Sequence, residues 1–231
     1  MRAMILAAGR GERMRPLTDT TPKPLLEVGG LPLIGWHLRR LAAAGIREVV
    51  INHAWLGRQI ETTLGDGSNW GVNIQYSPEP IPLETAGGIS QALPLLGDAP
   101  FLVVNGDVYT DYPFAQLQPL AQQLAETGGA CAHLVLVPKP DYKTGFDLAL
   151  QSDGKLLPHA DGLQPLTFGG MALYTPAFFA EVPRGQPGPL LPWFLAGMAE
   201  GRITGECYTG QWLDVGTVER LEAARAACRV S

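Results

Sequence analysis

The stretch Ala3-Met4-Ile5-Leu6-Ala7-Ala8-Gly9-Arg10-Gly11-Glu12-Arg13-Met14-Arg15-Pro16-Leu17-Thr18, with Pro22-Lys23-Pro24-Leu25 close behind it, decides how this chain folds. Ala3 to Leu6 is an unbroken apolar run of the length of a short buried strand. Gly9 and Gly11 let the backbone turn sharply and leave N–H groups uncovered, which makes a concavity for anions. Arg13, Arg15 and Lys23 add three cations to the same segment. Amide donors cradle phosphate oxygens while cations offset their charge, so the combination suits a polyphosphate. Two better-known phosphate loops are excluded. A dinucleotide fingerprint needs Gly at position 14, where the chain has Met14, and the string G-x-x-x-x-G-K-[ST] occurs nowhere.

Working outward, Pro32 to Ala44 predicts a helix, with Ile34, Leu38 and Leu41 on one face and Gly45 as its stop. Glu48–Asn52 predicts a strand, Trp55–Leu64 a helix, Val72–Tyr76 a strand, Ala86–Leu96 a helix with Pro94 inside it, and Phe101–Asn105 a buried strand. This alternation implies βαβ units and a mostly parallel sheet, whose ligands bind at the carboxyl ends of the strands. The glycine loop follows the first strand and Asn105-Gly106-Asp107 follows the fourth, which suits one shared site. Beyond Asp107 the pattern predicts a helix over Phe114–Glu126 and a strand over Ala132–Val137. A hairpin is expected around Ser152-Asp153-Gly154, and a strand over Leu166–Tyr174 interrupted by Gly169-Gly170. Helices are expected over Leu190–Glu200 and Val218–Ala227, with a strand-like run from Tyr208 to Asp214. The expected fold is α/β: one domain over residues 1–231, a Rossmann-like three-layer α/β/α sandwich with a mostly parallel mixed sheet.

Bulk properties narrow the function classes. The 231 residues are 46% hydrophobic and 17% charged, which fits a globular chain with a sizeable core. A net charge of −5 argues against a nucleic-acid partner, so any phosphate binding rests on local cations. Cys131, Cys207 and Cys228 are odd in number and widely spaced, which indicates neither a disulfide framework nor a zinc site. No apolar run approaches 18 residues and no signal peptide is evident, so the expectation is a cytoplasmic protein without a membrane partner. His37, His53, His133 and His159 are scattered and read as structural.

Asp107 and Asp214 form the sharpest pair of acids, each at the end of an apolar run and followed by a turn. Two facing carboxylates repel unless a cation lies between them, and Mg²⁺ prefers a few carboxylates completed by phosphates and water.

Taken together, G-x-G-x-R-x-R-P-L-T with P-K-P-L, Leu83-Glu84-Thr85-Ala86-Gly87-Gly88, Asn105-Gly106-Asp107 and Trp212-Leu213-Asp214-Val215-Gly216-Thr217 resemble, in order and spacing, the sugar-1-phosphate nucleotidyltransferases. The likeness covers essentially the whole chain. It implies that residues 1–110 form the nucleotide-binding half, and that residues 111–231 bring the sugar contacts and the second metal ligand. It further implies transfer of a nucleotidyl group from a nucleoside triphosphate to a sugar 1-phosphate, with Mg²⁺ held by Asp107 and Asp214. Arg15 would stabilise the leaving pyrophosphate and Lys23 would bridge phosphates of both substrates. Leu6, Ala8, Gly9, Gly11, Glu12, Arg13 and Lys23 would line the nucleotide, and Gly87 and Gly88 would admit the base against bare backbone. Asn105, Gly145, Asp147 and Gly170 are the sugar-side candidates. Val50-Ile51-Asn52-His53-Ala54-Trp55-Leu56-Gly57 and Tyr76-Ser77-Pro78-Glu79 are most similar to members that uridylylate N-acetylmuramate 1-phosphate in peptidoglycan recycling. Guanylyl transfer to mannose 1-phosphate and thymidylyl or uridylyl transfer to glucose 1-phosphate are the alternatives within the class. A catalytically silent sugar-nucleotide sensor is the alternative outside it. A monomer or small homo-oligomer is expected.

Overall fold

The computed structural model describes residues 1–127, 131–158 and 162–228; His159 therefore lies outside the described residues. The chain runs β1 (Ala3–Leu6), α1 (Leu17–Thr20), β2 (Glu27–Val28), β3 (Leu31–Pro32), α2 (Leu33–Ala43), β4 (Glu48–His53), α3 (Gly57–Leu64), β5 (Asn73–Pro78), α4 (Glu84–Leu96), β6 (Phe101–Asn105) and β7 (Val108–Thr110). It continues through α5 (Leu117–Thr127), β8 (Ala132–Pro138), β9 (Leu148–Leu150), β10 (Leu156–Pro158), β11 (Leu166–Tyr174), α6 (Leu191–Ala199), β12 (Ile203–Cys207), β13 (Trp212–Asp214) and α7 (Val218–Cys228).

β5, β4, β1 and β6 lie side by side and parallel, with Ile5 between Ile51 and Val104. β11 joins β6 antiparallel, β8 joins β11 antiparallel and β12 joins β8 parallel. In this row only β11 runs against the others, so the sheet is mixed but mostly parallel. The β9–β10 hairpin attaches at the start of β11 and brings the sheet to nine strands. Side chains alternate across the sheet as a period of two requires. Met4, Val50, Phe101 and Val103 face α4 and α6. Ile5, Ile51, Leu102 and Val104 face α2, α3 and α5. The product is one α/β domain of three layers.

A third apolar cluster matters more for the site. Met14, Leu26 and Val28, beneath the glycine loop, pack on Tyr109, Val215, Leu221 and Ala224. Residues near the N-terminus are thereby fastened to α7.

Two local expectations are corrected. The strand expected from Tyr208 to Asp214 is confined to Trp212–Asp214. The longer strand of that region is β12, where buried Ile203 and Gly205 alternate with half-buried Thr204 and Glu206. The turn after it folds Gly210 against the Tyr208 ring. The strand over Leu166–Tyr174 does carry a bulge between Phe168 and Met171, at Gly169-Gly170. No helix among the described residues is long and apolar enough to cross a membrane.

Candidate active site

The glycine loop leaves β1 and turns at Gly11, whose φ of +71° opens a short 3-10 turn over Glu12–Met14. A side chain at Gly11 would cost about 1–2 kcal/mol in backbone strain, and its Cβ would also stand 2.9 Å from Thr18 Cγ2. Thr18 secures the turn by donating its hydroxyl to the Gly11 carbonyl at 2.8 Å. Trp55, arriving from the end of β4, donates its indole N–H to the Thr18 carbonyl at 3.0 Å and lies under the Arg10 guanidinium at 4.3 Å. The loop is therefore held from outside by a neighbouring strand end.

At the carboxyl ends of β1, β4 and β6 opens a cavity of about 270 Å³. Its lining includes Leu6, Ala8, Gly9, Lys23, Glu84, Thr85, Asn105 and Asp107. The Lys23 ammonium donates to Asp107 Oδ2 at 2.5 Å. Burial pushes the Asp107 carboxyl up, but the charge and hydrogen bond of Lys23, with Lys143 beyond, outweigh it and hold the group below the usual carboxylate range. Glu84 adopts φ +57°, a left-handed conformation unusual for a residue with a Cβ. Such strain gathers at ligand-facing walls.

Through the lining of this cavity, which also includes Ala7, Asn52 and Glu79, runs a buried polar chain. The Ala7 N–H donates to Asn52 Oδ1 at 2.9 Å, and Asn52 Nδ2 donates to Glu79 Oε1 at 2.6 Å. The Leu83 N–H closes it by donating to Glu79 Oε2 at 2.9 Å.

Asp214 is set beside Asp107 by backbone pairing. β13 runs antiparallel to β7 with Asp214 opposite Val108, and the Val215 N–H donates to the Asp107 carbonyl at 2.7 Å. The Asp214 carboxylate is gripped by Arg220 Nη1 at 2.9 and 3.0 Å, by Lys143 Nζ at 3.1 Å and by the Tyr142 hydroxyl at 2.8 Å. Burial and this bond to Asp214 push the Tyr142 phenol up to about 12, so it stays a donor at neutral pH. A second cavity of about 410 Å³ lies here, its lining including Arg13, Tyr142, Lys143, Gly145, Asp214 and Arg220. Three cations against one carboxylate leave an excess of positive charge suited to phosphate oxygens.

Of the residues singled out from sequence, Leu6, Ala8, Gly9, Lys23, Asn105 and Asp107 meet at the first cavity, and Arg13, Gly145 and Asp214 at the second. Others stand apart. Arg15 is exposed and paired with Asp19 at 3.1 Å and Glu12 at 3.4 Å, and Glu12 also holds Arg10. Asp147 is engaged by Lys139. Gly170, at φ +76°, packs against the Asn105 side chain. Gly87 and Gly88 lie buried behind the cavity wall: a Cβ on Gly88 would stand 2.6 Å from Glu79 Oε1, and one on Gly87 would run into the Gln186 backbone. Asn52, Glu79, Tyr142, Lys143 and Arg220 join the site without having been singled out. Asn52 and Glu79 sit at the carboxyl ends of β4 and β5, where ligands of parallel sheets bind, and that rule alone could have found them. The histidines are structural where described: His53 bonds Glu61 at 2.8 Å and His133 bonds Thr204 at 2.9 Å.

Comparison with known proteins adds a separate observation. The sequence model of the nucleotidyl transferase family matches residues 2–148, the span that holds the glycine loop, the Asn52–Glu79 pair and Asp107. An N-acetylmuramate alpha-1-phosphate uridylyltransferase from Neisseria meningitidis is 58% identical over 227 residues, 98% of this chain and 97% of its own. A protein of the same name from Caulobacter vibrioides is 36% identical, over 97% of this chain and 95% of its own. A Bacillus anthracis structure assigned as a glucose-1-phosphate thymidylyltransferase superposes with a TM-score of 0.85 over 99% of this chain and 95% of its own, and at 22% identity it establishes the shared fold. A glycine turn, cations gathered on two cavities and two acids joined across one ribbon coincide with full-length sequence likeness, and the chain belongs to the nucleotidyl transferase family.

Proposed function

We propose that this protein joins UTP and N-acetylmuramate 1-phosphate to give UDP-N-acetylmuramate and pyrophosphate, in the cytoplasm, as a step of peptidoglycan recycling that needs Mg²⁺. The observation that carries the choice of base and sugar is the 58% identity, over 98% of the chain, to the Neisseria uridylyltransferase. The residues present fit the metal. Asp107 and Asp214 are brought together at one β ribbon, where Asp214 pairs with Val108 and the Val215 N–H donates to the Asp107 carbonyl. Two carboxylates leave the remaining positions to phosphate oxygens and water, as Mg²⁺ prefers. When bound, Mg²⁺ neutralises developing charge and polarises the α-phosphoryl group.

The chain's own residues supply positioning. An oxygen of the sugar phosphate bonds to the α-phosphorus as the bond from that phosphorus to the β-phosphate bridge breaks, and pyrophosphate leaves with that electron pair. The second phosphate pKa is about 6, so the nucleophile is already ionised at neutral pH and no general base is required. Lys23, with its short link to Asp107, stands where it can exchange the carboxylate for phosphate oxygens. Arg13, Lys143 and Arg220 offer cations to the phosphates from the other cavity. Arg15 takes part only by leaving its ion pairs with Asp19 and Glu12.

The test is pyrophosphate release with Mg²⁺, crossing UTP, GTP, dTTP and CTP with N-acetylmuramate, mannose and glucose 1-phosphates. Release confined to UTP with the muramate is expected. Turnover of GTP with mannose 1-phosphate would keep the mechanism and replace the substrates, and silence across the panel would favour the sensor.

A further inference from the structure

Glu12 is out of place in a segment built for anions. It stands between Gly11 and Arg13, where amides and cations suit phosphate oxygens. A free carboxylate there would compete for the same donors and repel the ligand. A string of ion pairs keeps it engaged. Arg10 Nε pairs with Glu12 Oε1 at 2.8 Å, and Arg15 Nε reaches Oε2 at 3.4 Å while also pairing with Asp19 at 3.1 Å. Arg15 is thus divided between two acids, and Arg10 is the nearer partner. Arg10 is itself seated, with its guanidinium 4.3 Å from the centre of the Trp55 ring, and Trp55 is tied to the loop through the Thr18 carbonyl. The β4–α3 junction that presents this ring is unusual in its backbone. Leu56 adopts φ +53°, and Gly57 lacks a Cβ that would run into the His53 ring. Arg13, one residue beyond Glu12, is left to the second cavity, where a Cβ on Gly216 would run into both its guanidinium and that of Arg220. A carboxylate released close by would be drawn to that excess of positive charge.

We propose that Arg10, seated on Trp55, is a positioning residue that holds Glu12 out of the phosphate site and so leaves Arg13 to the reacting phosphates. The proposal rests on the proposed function in bringing phosphates to Arg13. In this role Arg10 touches neither substrate and acts only through Glu12. Its contribution is therefore conditional, and exists only while position 12 carries a charge. A residue that merely braced the loop would matter equally with glutamine at position 12.

The experiment is a cycle of Arg10→Gln, Glu12→Gln and the double variant, read as kcat for pyrophosphate release from UTP and N-acetylmuramate 1-phosphate with Mg²⁺, alongside the thermal midpoint. With Glu12 in place, Arg10→Gln is expected to lower kcat about fivefold, the scale of one exposed ion pair. With Glu12→Gln already present, the same substitution is expected to cost less than about twofold, so the two changes are not additive. Arg10→Lys keeps a cation over the ring and opposite Glu12, and is expected to stay within about twofold of the parent. The Arg10 side chain is 45% exposed, so the midpoints are expected to stay close to the parent's. An unchanged kcat in Arg10→Gln, an equal loss with and without Glu12, or a loss in Arg10→Lys as large as in Arg10→Gln would each overturn the proposal. A parent protein silent with every nucleotide and sugar phosphate of the panel would instead overturn the proposed function, and this proposal with it.

Discussion

Asp107 and Asp214 stand one residue out of register across the β7–β13 ribbon, yet the protein holds them differently. The Asp107 side chain is 36% exposed and is bonded by Lys23 from the glycine-loop segment. The Asp214 side chain is 12% exposed and is gripped by Arg220 from α7 and by Tyr142 and Lys143 from the β8–β9 loop. The first acid has a partner that can be exchanged for a ligand. The second is a knot joining three segments of chain, so it serves the architecture. On the proposed function, the metal site would combine a yielding side with a rigid one.

The largest effect should erase this difference. Asp107→Asn and Asp214→Asn are each expected to lower kcat by about a thousandfold or more, several kcal/mol of charge stabilisation, in the pyrophosphate assay. Activity retained in either variant would remove that acid from the metal site.

The next effect sharpens the comparison along the pH axis, because the Asp107 side rests on a buried base. His37 on α2 is 1% exposed and packs near the Asn105–Val108 turn. Burial, then the nearby Arg40 charge, lowers its pKa from 6.5 to about 4. Between these values the unfolded chain takes up a proton that the folded protein refuses. Stability is therefore full above pH 6.5 and falls as pH drops toward 4, by about 3 kcal/mol. Urea unfolding at about pH 7 and about pH 4.5 should show that slope in the parent and lose it in His37→Leu. An equal slope in both proteins would assign the acid sensitivity elsewhere.

The smallest effect separates the two acids in stability. Asp214→Asn leaves Arg220 and Lys143 without their counter-charge at a half-buried site and should cost about 2 kcal/mol. Asp107→Asn strands only Lys23 beside open cavity and should cost under about 1 kcal/mol. Thermal midpoints that fall equally would end the distinction between knot and exchangeable partner.

What the sequence made legible follows from how local the determinants are. Ala3–Leu6 and Phe101–Asn105 are apolar because they are buried on both faces, and a continuous run signals that without context. The glycine loop was equally plain, since its glycines and cations sit within a few residues of one another. β12 escaped because Ile203-Thr204-Gly205-Glu206-Cys207 carries little apolar weight; Gly205 is there because a Cβ would stand 2.8 Å from the Leu134 carbonyl, a reason visible only in three dimensions. The partners of Asp214 were hidden for the same cause. Arg220 comes from the helix after it and Lys143 from a loop far earlier in the chain, and no spacing announces that they converge on one carboxylate.

The β7–β13 ribbon has a consequence for the order in which the protein becomes competent. Translation delivers the glycine loop, Lys23 and Asp107 early, but Asp214 arrives only after most of the remaining chain, on the last strand of the fold. Pairing across such a span closes late, because its loop entropy is recovered only once the intervening sheet has formed. On the proposed function, a chain still emerging from the ribosome already holds its phosphate loop yet lacks its second metal ligand. Nucleotide chemistry then begins only when the whole domain is in place, so catalytic activity serves as a direct assay of completed folding.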